Sequence, residues 1–506
     1  MAWQAGNLEE QRLSKVDKLR EAKIDPFPPR SMRTHAIGAA RVIFIEAEAD
    51  GSDKDLQSTL CGRIVGIRDM GKTVFANIED ESGSIQLFIR RDEVGEDSHN
   101  IFRKLIDLGD FVQASGTLFR TRMGEVSLRT SEWKMLSKSI TPLPLVKEQE
   151  VDGQIVRYSA LSDVEERYRQ RYADLAVNPD VRDVFRSRAR LISALRTFFD
   201  RHDFLEVETP IMQPLYGGAA AKPFTTFHNQ LKQKLFLRIS FELYLKRLLV
   251  GGYERVYEIG RDFRNEGVDA VHNPEFTQLE FYAAYWDYQD VMTFTEEMLA
   301  FSALELFGQK NFSYQGDTIE LASPWRRISL REAVLEYAGI DYMDYRVAEQ
   351  LTEAIRKKYG RAPKNVTWGK LIDGLLGEVV EPNLIQPTIV YDFPRDISPL
   401  AKEVPGDPLH VERFEFFIGG MEMGNAFTEL NDPLEQRKRF EEMQSLYKED
   451  EEEAHPIDED YIRAMRYGMP PNGGFGMGVD RLAMLFTDKT SIREVLLFPH
   501  LREKRG

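Results

Sequence analysis

Short runs of alternating apolar and polar residues between Leu60 and Leu136 constrain the fold of this chain more than any other feature. We place these runs at residues 61–68, 73–79, 85–90, 111–118 and 125–130. Turns that contain glycine separate the first three runs, and a helical stretch at residues 100–108 separates the third from the fourth. Five strands with a helix in that place are the layout of an OB-fold, a barrel whose face binds oligonucleotides. A plain β-barrel without a ligand fits the same pattern.

Changes of pattern along the chain predict four segments. They are a helical extension at residues 1–55, the barrel at 56–145, a linker at 146–180 and one large domain at 181–506. In the large domain a helix at residues 181–201 precedes strands that follow one another with few crossover helices, which favours an antiparallel sheet. We therefore predict an α+β protein with an N-terminal OB-fold barrel and a larger domain built on an antiparallel sheet flanked by helices.

Composition narrows the classes of function. The chain of 506 residues has a globular composition, and its net charge of −16 argues against a nonspecific nucleic-acid coat protein. Cys61 is the only cysteine, so neither an internal disulfide nor a thiolate metal site can form. No apolar run approaches the roughly 20 residues of a membrane span, and the first residues lack the pattern of a signal peptide. We expect a cytoplasmic protein that does not enter a membrane.

The strongest chemical signal lies at residues 263–282. It is typical of two antiparallel strands joined by a polar loop, with Phe-Arg-Asn-Glu-Gly at the end of the first strand. Period-two alternation places four side chains on one face of the second strand, namely Phe276, Gln278, Glu280 and Tyr282. Arg264 and Glu266 would line the same pocket. The alternative is a hairpin whose charged face is merely solvated.

A glycine-rich segment at residues 474–481 is a weaker signal by itself. The two common nucleotide signatures, G-x-x-x-x-G-K-[ST] and a G-x-G-x-x-G that opens a helix after a strand, are missing from the chain. The plain alternative for this segment is a strand-to-helix turn at which only glycine packs.

Taken together, residues 198–210, 263–280 and 474–481 resemble motifs 1, 2 and 3 of the class II aminoacyl-tRNA synthetases, in that order. Their position behind an OB-like domain is the arrangement of subclass IIb. Within it, the segments 217–219, 243–247 and 424–432 resemble the bacterial lysyl-tRNA synthetases. The resemblance covers essentially the whole chain. It implies ATP-dependent attachment of L-lysine to the 3′-terminal adenosine of tRNA(Lys) through a lysyl-adenylate, and a homodimer formed through motif 1.

The resemblance also implies which residues serve ATP. In this chemistry an amino-acid carboxylate attacks the α-phosphate, so charge must be neutralised where two anions meet, and a guanidinium offers a planar fork of donors for that purpose. Arg264 and Arg481 are the implied catalytic residues. The implied ATP-binding residues are Arg264, Glu266, His272, Asn273, Phe276, Glu415, Glu422 and Arg481. Among them, Glu266 meets the adenine amino group, and Phe276 and Arg481 sandwich the ring.

Glu415 and Glu422 are implied ligands of Mg²⁺ that bridges the ATP phosphates. Their odd spacing would put them on opposite faces of a regular strand. The pair Gly419-Gly420 allows a turn or bulge that would bring the two carboxylates together. The alternative is two ordinary surface carboxylates.

Substrate choice depends on carboxylates, because an ammonium group taken from water must meet an anion. The implied lysine-binding residues are Gly218, Glu242, Arg264, Glu280, Tyr282, Asn425, Phe427 and Glu429. By resemblance Glu429 and Tyr282 receive the side-chain ammonium, and Glu242 with the backbone of Gly218 receives the α-amino group. Glu429 alone would fit a helix ion pair or a capping group equally well.

In the barrel, the resemblance implies that the anticodon is read by Arg68, Phe75, Gln86 and Glu125. A base stacked on Phe75 contributes about 1–3 kcal/mol, and the polar groups read base edges. The alternative for Phe75 is an ordinary core position.

Three rival functions fit less well. An aspartate or asparagine enzyme would present a cation to its substrate's side chain, whereas Glu429 presents an anion. A noncatalytic relative usually loses a motif arginine or a metal carboxylate, and lysine-modifying relatives generally lack the OB domain. This chain retains all of these features.

The chain also departs from the family pattern at three places. His202-Asp203 stand where motif 1 commonly has a glycine, Lys222 replaces a usual arginine, and Phe241 replaces a smaller residue. Because of these differences, the geometry of the loops and the affinity for substrates do not follow from the resemblance. The expected reaction class is unaffected.

Overall fold

The computed structural model describes residues 4–144, 146–151, 154–159, 161, 163–363, 366–446 and 457–503. The chain divides into two compact units. The first comprises residues 1–167 and 172–178, and the second comprises residues 168–171 and 179–506. Within the described ranges, no helix has both the length and the apolar character needed to cross a bilayer.

The first unit contains a closed five-stranded barrel, which confirms the predicted OB-fold. Its elements are α1 (Asn7–Glu21), α2 (Ile37–Asp50), β1 (Gln57–Asp69), β2 (Thr73–Asp80), β3 (Gly83–Arg90), α3 (Arg91–Val94), α4 (Glu96–Leu105), β4 (Phe111–Arg120) and β5 (Val126–Ser137). The strand order is β1–β2–β3–β5–β4, and β3 pairs with β5 in parallel. The predicted helix between the third and fourth strands exists, but it ends earlier, because Ile106 is already extended.

The two helices of the predicted extension pack against this barrel. Phe44 of α2 is buried in the same apolar core as Leu60 and Leu87 of the strands. On α1, Arg12 donates a hydrogen bond of 2.9 Å to the carbonyl of Leu108. The extension and the barrel therefore form one compact unit.

The stretch predicted as a linker contains secondary structure of its own. An antiparallel hairpin joins β6 (Val146–Val151) and β7 (Gln154–Ser159), and two short helices follow, α5 (Val164–Arg169) and α6 (Arg171–Val177).

The continuous part of the second unit begins with the long helix α7 and is built on a mostly antiparallel sheet. Its helices are α7 (Pro179–Arg201), α8 (Glu242–Val250), α9 (Tyr288–Phe307), α10 (Leu330–Ala338), α11 (Ala348–Tyr359), α12 (Trp368–Leu375), α13 (Pro433–Leu446), α14 (Glu459–Arg466) and α15 (Val479–Phe486). Its strands are β8 (Leu205–Glu206), β9 (Met212–Gln213), β10 (Thr225–His228), β11 (Gln233–Leu237), β12 (Arg255–Phe263), β13 (Glu275–Ala284), β14 (Asn311–Tyr314), β15 (Asp317–Glu320), β16 (Arg326–Ser329), β17 (Thr388–Pro394), β18 (Glu403–Val404), β19 (Asp407–Ile418), β20 (Met421–Thr428) and β21 (Asn472–Gly478).

The main sheet brings distant motifs side by side. Its strand order is β16–β17–β19–β20–β21–β13–β12–β8, and β18 pairs with β19. Neighbours are antiparallel except for the two outermost pairs, β16 with β17 and β12 with β8. The predicted hairpin at residues 263–282 is β12 and β13, and the glycine-rich segment is β21 beside it.

Helices α7 and α9 cover one face of this sheet. Phe199 of α7 stacks on Tyr257 of β12 with ring centroids 4.4 Å apart, and it also contacts Phe294 of α9. The aromatic core holds the motif strands from one side, so their other side is left to form a site.

Candidate active site

The glycine-rich strand β21 lies between β13 and β20 in the main sheet. In this register Gly474 lies opposite Tyr282, and Gly476 lies opposite Glu280. A Cβ atom at Gly474 would lie 2.0 Å from Oε1 of Glu429 and 2.4 Å from Cε1 of Tyr282. Only glycine leaves room for both side chains, so β21 forms the floor of a cleft.

A cavity of about 360 Å³ lies over this floor. Seven of the eight residues predicted for the amino acid line it: Gly218, Glu242, Arg264, Glu280, Tyr282, Asn425 and Phe427. Gly218 has a φ of 88°, and a Cβ atom there would lie 3.1 Å from the Cβ of Glu242. The loop before α8 therefore approaches the helix as closely as glycine allows.

Glu429, the eighth residue, does not line the cavity. Its side chain is fully buried, and it forms an ion pair with Lys246 of α8. The ammonium group of Lys246 also donates to Oε1 of Glu242 at 2.5 Å. Sequence reasoning assigned no role to Lys246, although its i,i+4 spacing from Glu242 on a helix was a signal for this contact.

Glu280 is held by three donors at the centre of the cavity wall. Ser240 Oγ and Gln278 Nε2 donate to its Oε1 at 2.8 and 3.0 Å, and the hydroxyl of Tyr282 donates to its Oε2 at 3.2 Å. Burial raises the pKa of Glu280 well above its ordinary value, and the nearby carboxylates of Asp262 and Glu242 raise it further. Ser240 is a site residue that sequence reasoning missed.

A second cavity of about 210 Å³ adjoins the first. The two cavities share the side chains of Arg264, Gln278 and Asn425 and the backbone of Gly476. Seven of the eight residues predicted for ATP line the second cavity, namely Arg264, Glu266, His272, Asn273, Phe276, Glu422 and Arg481. Arg264 is thus the one predicted catalytic residue present in both cavities.

The wall of the second cavity contains an arginine, Arg481, at the start of α15. Its guanidinium donates to the carbonyl of Glu422 at 2.6 Å, and it lies 3.3 Å from Oε2 of the same residue. A further nitrogen lies 3.1 Å from Nε2 of His272, whose Nδ1 is 2.8 Å from Asp269. Arg481 thus joins motif 3 to the motif 2 loop and to β20.

Arg264 is supported from behind by a buried charge network. Its guanidinium lies 5.1 Å from the ring centre of Phe276. Arg238 forms ion pairs of 2.6 Å with Glu258 and 3.2 Å with Asp262. Burial raises the pKa of Asp262 to about 7, although Arg238 and Arg264 both oppose that rise. Arg238 thus forms the ion pairs with Glu258 and Asp262, while Arg264 lines both cavities.

The Gly419-Gly420 pair forms the turn between β19 and β20, with φ of 64° and 72°. The turn puts Glu415 and Glu422 on neighbouring antiparallel strands. Burial raises the pKa of Glu415 to about 8, and Glu422 and Asp373 add to the rise while Arg413, 2.6 Å away, lowers it. Glu415 lines neither cavity.

The charge around Glu415 and Glu422 fits Mg²⁺. The carboxylate of Glu422 contributes to the raised pKa of Glu415, which a nearby cation would offset, and Mg²⁺ is commonly held by one or two carboxylates together with phosphate oxygens. Among the described residues, no group of three or more His, Cys, Asp or Glu side chains has the arrangement of a metal site. The protein oxygens therefore suit a metal that a phosphate ligand completes.

On the barrel, Phe75 is half-buried and lies outside the apolar core, so the core alternative for this residue is wrong. It lies opposite Arg68 on β1 and opposite Phe88 on β3. The rings of Phe75 and Phe88 are 5.2 Å apart. Gln86 is half-buried on β3, whereas Arg68 and Glu125 are exposed. These side chains form an open face of the barrel.

Glu125 lies just before β5, and Ser127 of β5 lies opposite Gln86. The aromatic face also extends beyond the predicted set. Phe88 lies 5.8 Å from Phe119, whose ring is 5.1 Å from the guanidinium of Arg129.

Comparison with known proteins identifies both units. Residues 163–502 match the family model described as tRNA synthetases class II (D, K and N), and residues 58–136 match the OB-fold nucleic acid binding domain. The lysine–tRNA ligase of Roseiflexus castenholzii is 51% identical over 498 residues, which cover 98% of this chain and 99% of that protein.

Two further relatives carry the same name. The lysine–tRNA ligase of Chloroflexus aurantiacus is 50% identical over 98% of this chain and 99% of its own length. That of Pelotomaculum thermopropionicum is 47% identical over 97% of this chain and 94% of its own length. With half of all positions identical along nearly the whole length, the chain belongs to the lysine–tRNA ligase family of class II aminoacyl-tRNA synthetases.

Proposed function

We propose that this protein attaches L-lysine to tRNA(Lys) in two steps. Lysine and ATP form lysyl-adenylate and pyrophosphate, and the lysyl group then passes to a ribose hydroxyl of the 3′-terminal adenosine of the tRNA, with release of AMP. The observation that carries the proposal is the pair of adjoining cavities that share Arg264, one bordered by carboxylates and the other by an aromatic ring and a second arginine. The class II family to which the chain belongs uses ATP.

Arg264 serves the first step. The carboxylate of lysine attacks the α-phosphate of ATP, and pyrophosphate leaves. The Arg264 guanidinium donates to both anions, which stabilises the charge that develops as they approach. No side chain acts as a nucleophile, because orientation and charge stabilisation supply the catalysis.

The second cavity holds the adenine ring and the phosphates. Phe276 stacks on one face of adenine, and Arg481 covers the other face with its planar cation. Glu266 accepts a hydrogen bond from the adenine amino group. His272 and Asn273 contact the phosphates. Their presence in one cavity with Arg264 supports these roles.

Carboxylates in and beside the first cavity select lysine. Glu429 and Tyr282 receive the side-chain ammonium, and Glu242 with the backbone of Gly218 receives the α-amino group. Glu280, Asn425 and Phe427 complete the pocket. The burial of Glu429 supports this assignment, because a buried carboxylate binds an ammonium group more tightly than a solvated one.

Glu415 and Glu422 would hold Mg²⁺ together with the ATP phosphates. Bound there, Mg²⁺ would supply positive charge that stabilises the charge developing on the phosphates. The raised pKa of Glu415, caused by burial and by neighbouring carboxylates, supports this assignment.

The barrel face reads the anticodon of tRNA(Lys). Phe75 stacks on a base, and Arg68, Gln86 and Glu125 contact base edges. The partial exposure of Phe75 beside polar side chains supports this role.

The protein acts in the cytoplasm as a homodimer with isologous contacts. Large apolar side chains are exposed along the motif 1 region and the small sheet after it, at Leu205, Ile211, Met212, Phe227 and Leu231. Large apolar side chains that are exposed in one subunit are often covered at an interface between subunits. Sedimentation at micromolar concentration should give twice the mass of one chain, and a monomer mass would contradict the dimer.

Lysine-dependent ATP–pyrophosphate exchange tests the proposed function. We expect exchange with lysine and little with the other nineteen amino acids, followed by lysine transfer to tRNA(Lys) only. Exchange that prefers another amino acid, or none at all with lysine, would overturn the proposal. Omission of Mg²⁺ should abolish exchange. Exchange that continues in the presence of a chelator would exclude a requirement for the metal.

A further inference from the structure

A cation of the protein itself lies beside the amino-acid cavity. The side chain of Lys246 has no exposed surface, and its ammonium group contacts both Glu242 and Glu429. The ring of Tyr282 lies 5.8 Å from the same ammonium. Lys246 therefore occupies the place between the two carboxylates that are expected to receive the two amino groups of the substrate.

The surroundings of Glu429 are otherwise poor in donors. Neither of its oxygens accepts a hydrogen bond of normal geometry from the described residues, so Lys246 is its main partner there. The charged and titratable groups that face it are Lys246 and Glu242 of α8, Tyr282 of β13 and Tyr461 of α14. A buried carboxylate without hydrogen bonds in a native protein is typical of a functional site.

We propose that Lys246 is a positioning residue and the built-in counter-cation of the lysine pocket. It holds the carboxylates of Glu242 and Glu429 at a fixed separation and favours the ionised form of Glu429. Its positive charge leaves the two carboxylates with a formal net charge of −1, which matches the one net positive charge of free lysine. The inference rests on the proposed function, because it takes lysine as the substrate.

The role follows from the balance of charge in a buried site. Two buried carboxylates without a cation would repel one another, and one of them would take up a proton. Burial raises the pKa of Glu429 to about 8, and the Lys246 ammonium is the largest influence that lowers it. Without Lys246, the pKa of Glu429 would rise further, so the substrate ammonium would meet the uncharged acid over a wider pH range.

The test is a four-member set measured by pyrophosphate exchange: the wild-type protein, Lys246→Met, Glu429→Gln and the double variant. Lys246→Met should raise the KM for lysine about tenfold and shift the pH at which lysine binding reaches its plateau upward by about one unit. The KM for ATP should stay within about twofold in all four proteins. An unchanged lysine KM with an unchanged pH profile would overturn the proposal.

The double variant gives the sharper result and tests the proposal even if Lys246→Met alone does not fold. In Glu429→Gln, Lys246 remains as an unbalanced cation beside the substrate ammonium and repels it. Removing Lys246 as well should restore lysine binding about tenfold relative to Glu429→Gln. If Lys246 served only packing, the double variant would bind lysine no better than Glu429→Gln, and that result would refute the proposal.

Two controls separate charge from folding. Lys246→Arg keeps the cation, so its lysine pH profile should stay like that of the wild-type protein even if the melting temperature falls. Lys138→Met removes a lysine of equal burial from the barrel, and it should leave the lysine KM unchanged. Failure of the proposed function would appear as wild-type protein that does not use lysine, whereas failure of this inference would leave wild-type exchange intact.

Discussion

Each unit of this protein contains a fully buried lysine that contacts two carboxylates. In the barrel unit, Lys138 lies 2.6 Å from Asp107 and 2.7 Å from Asp110. In the second unit, Lys246 contacts Glu242 and Glu429. Both clusters join one buried lysine to two carboxylates, but Asp107 is partly exposed and also pairs with Lys15, and the remaining hydrogen bonds of the clusters differ.

The Lys138 cluster is fully satisfied by the protein. The third acceptor of its ammonium group is the carbonyl of Leu105 at 2.7 Å. Backbone N–H groups of Asp107 and Ser139 donate to the two oxygens of Asp110 at 2.7 and 2.8 Å. These bonds tie the helix α4 region to the end of β5, so the cluster stabilises the barrel and leaves no group for a ligand.

The Lys246 cluster lacks such donors around Glu429 and borders a cavity through Glu242. A buried ion pair that costs desolvation without full hydrogen bonding contributes little to stability. The comparison teaches that burial and ion pairing alone do not distinguish a structural cluster from a binding cluster. The two clusters are distinguished by how many of their carboxylate oxygens accept hydrogen bonds from the protein.

The largest effect is expected from variants that remove one negative charge from each cluster in turn. Glu429→Gln should lower lysine activation on the order of 10²-fold or more, mainly through lysine KM, because a buried ammonium loses its anion. Asp110→Asn should lower the melting temperature and leave the lysine KM unchanged. Pyrophosphate exchange over a lysine series at saturating ATP, and over an ATP series at saturating lysine, measures both. If Glu429→Gln changed only the ATP dependence, the residue would belong to the nucleotide site.

A second pair of variants adds one methyl group to each unit. A Cβ atom at Gly474 would lie 2.0 Å from the Glu429 side chain, whereas one at Gly116 of β4 would lie 1.9 Å from the backbone oxygen of Arg129. Gly474→Ala should raise the lysine KM by about tenfold, because Glu429 and Tyr282 must move. Gly116→Ala should reduce the yield of folded protein without changing the lysine KM of what folds. Equal lysine KM in both variants would contradict the assignment of Gly474.

A third pair of variants tests whether the surface of the barrel binds tRNA, whereas Lys138 stabilises the interior. Phe75→Ala should weaken tRNA charging by about tenfold, since stacking of one base contributes about 1–3 kcal/mol. Exchange without tRNA should stay intact, because only residues of the second unit line the two cavities. Phe111→Ala is the matched control, since that exposed ring packs under Arg63 elsewhere on the barrel. Equal loss of charging in both variants would indicate a folding effect.

The smallest effect concerns the pH dependence of stability. Burial raises the pKa of Glu429 to about 8, so the folded protein binds a proton that the unfolded chain releases above its ordinary value of 4.5. Its contribution to the free energy of unfolding therefore falls as the pH rises from about 5 to about 8, and Glu429→Gln should remove that slope.

Asp107 should behave in the opposite way. Burial raises its pKa, but Lys138 and Lys15 lower it more, to below 3.8. Its stabilising contribution is present above that value and is lost as the pH falls further, so Asp107→Asn should lessen acid destabilisation. Melting curves between about pH 3 and pH 8 measure both slopes. The same slope in both variants would contradict the contrast between the clusters.

Much of the fold was predictable because its signals are local. The strands of the barrel and the hairpin β12–β13 follow period-two alternation and end at glycine turns, which depend on neighbours in the chain. Boundaries were less predictable, and β19 and β20 were expected as one strand-like segment with a glycine turn or bulge. The positive φ values of Gly419 and Gly420 make that turn a complete reversal of direction.

The sequence by itself determined the fold class, the family and the set of side chains that the chemistry requires. Only the tertiary structure decided which of them meet. Lys246 and Glu429 are far apart along the chain, and their contact exists because α8 packs beside the strands that carry motif 2 and motif 3. The local pattern of apolar and polar residues indicates the conformation of one segment. The partner of a buried charge depends instead on which segments pack together, and no single segment contains that information.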